Sequence, residues 1–402
     1  MTAPTVQVKI AFTYVGGLPV WWDVTQYLIG SVPTSRGRSL ETDQYNAGTM
    51  TVTLLDNERL FDPSNTSSIH YPQVIPGIEI QLFVDGLSQF RGIVNDIQNI
   101  YSLPNLCTTV LTCLEGPSLL ANCQIGAGTT LGRSFSQHYS GQRISAVLAL
   151  PEVAYPLGAI VATGQSLLQA STSNVLEQDA LSYCQTCAAS EVGYLFCDNE
   201  GLLQFHDRYY IGTLTSSVLF SDVPADLAAG AIGYAVVEQN SQALLLFNQV
   251  TGTRSGGVLQ TANDLASQTQ YRLRCYPLPT LENETDALVL DLCGYTVGRY
   301  STPNVRFGSV SLDLQSLTST QLAAILALDL CDLVTVKRTP AGSGTPATIT
   351  SISYIDQISL ALNVSSSTYT ITFALGSVDT RSFFILNDPV FGTLDSGNRL
   401  NF

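Results

Sequence analysis

The stretch at residues 34–63, TSRGRSLETDQYNAGTMTVTLLDNERLFDP, decides how this chain reads. Gly48 marks a bend, after which Met50, Val52 and Leu54 alternate with Thr49, Thr51 and Thr53, and a period of two is the mark of a half-buried β-strand. Asp56-Asn57 and Asp62-Pro63-Ser64-Asn65 carry side chains that bond their own backbone in turns, so strand pairing stops there. A long surface loop follows, through His70 to Pro76, and residues 64–76 are candidates for subunit contacts. Ile78, Ile80, Leu82 and Val84 then share one face, and Asp85-Gly86 tolerates the positive φ of a tight hairpin that returns the chain through Phe90 to Ile100. The unit reads as an antiparallel meander.

Outward from this unit, strands are predicted at 6–14, 20–24, 49–55, 78–84, 90–101 and 106–114, a spacing that suits a small barrel or sandwich. Helical signals enter between residues 121 and 210. One helix is predicted over 143–150, and another from Asn174, where Asn174 caps and Glu177 completes a capping box. After Ser221 strands return at 233–238 and 243–251, followed by a helix over 286–298 with Leu288, Leu292 and Tyr295 on one stripe. A helix at 321–328, with Thr318 as its cap, leads into strands at 332–337, 348–354, 358–364 and 368–375. This second β set faintly repeats the strand, hairpin loop and returning strand of the first.

Order along the chain carries a resemblance. Arg36-Gly37-Arg38, then acidic and aromatic positions, Ala47-Gly48-Thr49, a Thr-rich strand, Asp56-Asn57, Phe61-Asp62-Pro63, Pro76-Gly77 and Phe90-Arg91-Gly92-Ile93 succeed one another as in the minor tail proteins of long-tailed phages of actinobacteria. Those belong to the wider group of baseplate hub proteins. Residues 198–205, DNEGLLQF, resemble the turn that joins two strands in hub proteins, and residues 384–402 resemble the family's terminal segment. The resemblance implies a mainly β, α+β fold in which two tail-tube-like β-barrel domains flank a mixed α/β insert. The expected division is 1–120 for the first barrel, 121–215 for the insert, 216–380 for the second barrel with helices, and 381–402 for a C-terminal docking segment containing Phe383, Phe384, Phe391 and Phe402.

It also implies an architectural role at the virion tail tip. Three chains with two barrels each would present six modules to a sixfold tail tube, so a homotrimer is expected. The implied partners are the tail tube or distal tail ring protein, the tape-measure protein, and other minor tail or central fibre proteins, with DNA passing only in transit. Two readings compete. A hexameric distal-tail ring adaptor would carry one barrel per subunit, and a peptidoglycan-binding or wall-degrading tip protein would act on the cell wall. The chain ends at Phe402 with no appended domain for a peptidase or lysozyme, which favours a protein that is not an enzyme.

Composition bounds the same answer. A chain of 402 residues is too long for one core and predicts two or three domains. Charged residues make up 12% and apolar ones 45%, which suits a chain that buries much of its surface against other subunits. A net charge of −15 argues against a surface built to grip nucleic acid, which needs clustered Lys and Arg, and fits a lumen that repels phosphate. No apolar run approaches a bilayer span and no signal-peptide pattern opens the chain, so synthesis in a host cytoplasm is expected.

Candidate chemistry is sparse. The nine cysteines are an odd number scattered along a long chain and are expected as free thiols. Cys184 and Cys187 have C-x-x-C spacing, with Cys197 and His206 downstream as conceivable third and fourth metal ligands. Leu176, Ala180, Cys184, Cys187 and Ala188 also fall on one helical face, so both cysteines read more simply as small core residues, and no metal or cofactor is predicted. His70, His138 and His206 are far apart in sequence, no phosphate-cradling glycine loop followed by Lys occurs, and residues 252–257 and 341–344 read as hairpin loops. Carboxylates are abundant, but abundance alone does not make a glycosidase pair, and no catalytic residue is predicted.

Overall fold

The computed structural model describes residues 3–104, 106–130, 132–171, 175–240, 243–303, 306–342 and 347–378. The fold is mainly β. Its first part contains Val6–Val15 (β1), Leu18–Asp23 (β2), Ser31–Gly37 (β3), Asn46–Leu55 (β4), Glu79–Val84 (β5), Leu87–Ser102 (β6) and Leu106–Glu115 (β7), which run side by side in the order β3-β4-β7-β6-β5-β1-β2. The alternation read in the sequence sets their faces. Met50, Val52 and Leu54 of β4 and Ile80, Leu82 and Val84 of β5 point into the core, while the intervening threonines, Gln81 and Phe83 are only partly covered or exposed. Asp85 and Gly86 both take positive φ, 48° and 79°, as a two-residue hairpin requires.

β3 is the strand the sequence did not announce, and it joins the two β-rich halves. One edge pairs with β4; the other pairs antiparallel with the long strand Ile349–Asn363, from Gln357 opposite Gly37 to Asn363 opposite Ser31. Beyond Ile349–Asn363 the same sheet continues through Thr368–Ser377, Arg306–Asp313 and Val236–Asn240, and Leu333–Arg338 and Val218–Phe220 branch from it, making 13 strands in all. No closed barrel forms among the described residues; the path ends at β2 and at Val236–Asn240. One hydrophobic cluster serves both halves, with Val8, Ile10, Ile80 and Phe90 from the first and Val310, Val334, Ile371 and Phe373 from the second.

Two smaller cores sit against this sheet. Helices Ser140–Leu148 and Ala180–Ala189 pack with strands Tyr194–Cys197 and Leu203–His206 around Leu120, Ile144, Val147, Cys184, Cys187 and Phe205. The other places Gln249–Arg254 between Gln260–Asn263 and Cys275–Leu281 and covers it with helix Asp286–Tyr300, burying Val250, Leu281, Val289, Leu292 and Cys293.

Several elements differ from expectation for visible reasons. The helix expected from Asn174 begins at Ala180; Asn174 lies outside the described residues, Glu177 has a left-handed φ of 59° that no helix admits, and Asp179 caps the helix by accepting the Ser182 N–H at 2.7 Å. Leu176, expected on the helical stripe, therefore precedes the helix and is exposed. Thr318 does cap Ser319–Leu326, in a reciprocal box with Gln321. The two strands expected at 348–354 and 358–364 are one, bent by a bulge between Ile355 and Gln357, and the strand expected at 243–251 shortens to Gln249–Arg254 behind a 3-10 turn at Ala243–Leu245. The loop at residues 64–76 is not wholly on the surface. His70 and Val74 are buried in it, the His70 ring stacked 4.0 Å from Phe12. Gly344 and the docking segment 381–402 lie outside the described residues.

Candidate functional site: a buried charge junction

The alternation of β3 turns Val32, Thr34 and Arg36 inward, which puts a guanidinium at the core face of a sheet. A charge there must be matched by partners of its own. Arg36 Nε donates to Glu115 at 2.5 Å, and Nη2 donates to the Cys197 carbonyl at 2.7 Å and lies 3.0 Å from Asp329. The second oxygen of Glu115 accepts the Gly48 N–H at 2.8 Å. Gly48 is thus no bend but a clearance: a Cβ there would stand 2.6 Å from the Glu115 carboxyl carbon. Asp329 in turn accepts the backbone N–H groups of Asn199 and Leu330, each at 2.8 Å.

Gly37, at φ 108°, turns the chain out of β3, and a Cβ there would meet the Asp356 carbonyl at 2.1 Å. Arg38 is thereby delivered to a second set of partners. Its Nε donates to Asp356 at 2.8 Å, its Nη2 to the Tyr354 hydroxyl at 2.9 Å, and its guanidinium lies 4.5 Å from the Tyr45 ring centre. Glu41 collects a third set: Arg306 at 2.8 Å, Arg299 at 3.2 Å, the Tyr300 hydroxyl at 3.0 Å and the Ser377 N–H at 2.8 Å. Ten residues of sequence, 36–45, so bind β7, the end of strand Tyr194–Cys197, helix Asp286–Tyr300, Asp329 and both long C-terminal strands.

Electrostatics divide these groups. Burial works against charge on Arg36 and Arg38, yet Asp329 and Glu115 beside the first and Asp356 beside the second hold both guanidiniums more firmly protonated than an ordinary arginine. Glu41 is buried too, but Arg299 and Arg306 keep its carboxyl below the usual glutamate value. Burial dominates at Glu115, whose carboxyl is pushed up to about 7, and raises Asp329 and Asp356 in the same direction.

The cysteines and histidines singled out in the sequence do not converge. Cys184 and Cys187 are fully buried in the middle core, where burial pushes the Cys187 thiol up to about 12. Cys197 lies on Tyr194–Cys197 with its carbonyl engaged by Arg36, and His206 stacks on Tyr210 at 3.7 Å. His138 accepts from Arg143 at 3.2 Å. Among the described residues no group of three or more His, Cys, Asp or Glu side chains could hold a metal ion, and no helix is long and apolar enough to cross a membrane.

Sequence reading missed the acceptors of the junction: Glu115, Asp329 and Asp356, and the donors Arg299 and Arg306. A signal existed. Each of the three acids interrupts an apolar run, as in LTCLE, LALDLCDL and SYIDQISL, in a chain with only 12% charged residues.

No family model matches the sequence, and no curated protein matches it. Solved structures do share its fold. The tail protein from Neisseria meningitidis superposes with a TM-score of 0.60 at 10% identity over 94% of this chain and 97% of that one. The 43 kDa tail protein of a Shewanella oneidensis prophage gives 0.55 at 12% identity, over 93% and 98%. A prophage tail protein from Listeria monocytogenes gives 0.51 at 10% identity, over 93% and 95%.

Proposed function

We propose that this chain is a structural protein of a bacteriophage tail, a hub at the tail tip that closes the end of the tail tube and carries the DNA conduit into the tip complex. The observation that supports it best is the two-way extent of the fold match. Nearly all of this chain and nearly all of each tail protein superpose, so a whole architecture is shared rather than a common β motif. The junction suits such a part. Its ion pairs cross between segments distant in sequence, which is what a frame needs that must keep its shape while neighbours load it. A net charge of −15 lets DNA pass without being held.

In this reading three copies assemble about a hollow axis. The β1–β7 set and the set after residue 218 each supply one module, six in all against a sixfold tube. The neighbours are the tube or distal ring protein, the end of the tape-measure protein, and minor tail or central fibre proteins. The chain performs no catalysis. Native mass measurement of the purified protein tests this: three copies are expected, six would assign it to the distal ring instead, and a lone monomer at tail-assembly concentrations would overturn the proposal. Release of soluble fragments from purified peptidoglycan would overturn the non-enzymatic part.

A further inference from the structure

Residues 165–171 form a strap between two cores. On one side Leu167 and Leu168 pair antiparallel with Tyr139 and His138 of the middle core, and the Ser140 N–H donates to the Ser166 carbonyl at 3.0 Å. On the other side the Gln169 N–H donates to the Glu282 carbonyl and the Glu284 N–H to the Leu167 carbonyl, each at 2.9 Å. Residues 282–284 lead into helix Asp286–Tyr300, which closes the third core around Val250 and Leu292.

Arg143, wholly buried, clamps this strap. Its Nη2 donates to the Ser136 carbonyl at 2.7 Å and to the Gln169 carbonyl at 2.8 Å, so one guanidinium holds both segments of the ladder. Nη1 donates to the Tyr183 hydroxyl at 2.7 Å, the Phe135 ring centre lies 5.1 Å away, and Nε donates to His138 Nδ1 at 3.2 Å. These partners are all neutral, so hydrogen bonds and one aromatic face compensate the buried charge. Arginine only donates; His138 Nδ1 therefore carries no proton, and its Nε2–H donates to Ser136 Oγ at 3.0 Å. A second proton on the ring has only Nδ1 to occupy, where it would face the guanidinium N–H.

We propose that His138 is a proton-sensitive latch on this strap: a proton taken up at Nδ1 expels the Arg143 Nε–H, and the ladder joining the middle core to the third core loosens. The charged and titratable groups packed around the pair are few and engaged. Arg143 comes from helix Ser140–Leu148, and Tyr183, its phenol held protonated by burial, comes from helix Ala180–Ala189. Glu282 and Glu284 hold the side chains of Gln169 and Gln137, and Glu191 holds the Ser140 hydroxyl and the Gln165 N–H. Burial, and after it the Arg143 charge, keeps the imidazole below its ordinary 6.5. A ring held neutral by the fold contributes stability that is full above 6.5 and is lost as pH falls below it. The latch concerns one chain and does not depend on a tail role.

The chain has only three histidines, so long-range proton–nitrogen NMR of the full protein with nitrogen-15 in the histidine rings tests it, each signal assigned by its own His→Gln variant. At about pH 8 His138 is expected as the Nε2–H tautomer, and its midpoint on acidification is expected below 6.5. Hydrogen–deuterium exchange, corrected for the intrinsic rate at each pH, gives a second readout. Protection of the Gln169 and Glu284 amides should fall about tenfold between about pH 8 and about pH 5.5, the ratio that one pH unit below 6.5 gives an open state free to take the proton. His138→Gln, whose side-chain carbonyl accepts from Arg143 without titrating, should keep that protection. A midpoint at or above 6.5, or a proton on Nδ1 at about pH 8, would overturn the latch. So would an equal acid loss of protection in H138Q; if that variant is unprotected at both pH values, the His138 midpoint decides.

Discussion

Glu115 is buried on every side, holds Arg36 with one oxygen and the Gly48 N–H with the other, and still has its carboxyl pushed up to about 7 from an ordinary 4.5. The folded protein therefore binds a proton there more readily than the unfolded chain. Stability from this group is full below pH 4.5 and declines as pH rises toward 7. Glu115→Gln should flatten that part of the stability curve, measured by urea unfolding at a series of pH values. Glu41 works the other way: its lowered carboxyl contributes above the ordinary glutamate range and loses that contribution on acidification, so Glu41→Gln should blunt acid sensitivity instead. Glu115→Ala strands Arg36 beside Asp329 alone and should cost about 3–5 kcal/mol, read from the shift in denaturant midpoint. Gly48→Ala drives a methyl group against the same carboxyl and should also destabilise, by roughly 1–3 kcal/mol, with the midpoint again as readout.

Elements were legible where apolar residues alternated or capped cleanly. β4, β5 and the hairpin at Asp85-Gly86 follow directly from the order of their residues, and so does Ser319–Leu326 with its Thr318 and Gln321 box. Thr318→Ala should accordingly cost about 1 kcal/mol, measured by thermal unfolding. β3 was illegible for a physical reason. SVPTSRG carries a proline, a glycine and a buried arginine, so it has no strand signature of its own and is held in place by ladders on both edges. The junction was half visible. Arg36-Gly37-Arg38 with an acidic position after it stood out as a pattern, but the partners of Arg36, Arg38 and Glu41 lie up to 336 residues away, and spacing within one segment says nothing about a contact at that distance. The C-x-x-C pair shows the converse: a conspicuous spacing that the helix Ala180–Ala189 uses to fill a core.

At the scale of the whole molecule, one sheet and one hydrophobic cluster run through both β-rich halves. They should unfold together. Fluorescence of Trp21 and Trp22, which reports on the first half alone, should follow the same transition as circular dichroism of the entire chain, whereas separate transitions would show the halves to be independent. The ladder between β3 and Ile349–Asn363 also sets an order of events during synthesis. While a ribosome is still making the middle of the protein, β3 has β4 on one side and water on the other, an open template for any passing extended segment. It is covered only once residue 363 has left the exit tunnel, some three hundred peptide bonds later. The nascent chain thus spends most of its birth with its central seam unsealed.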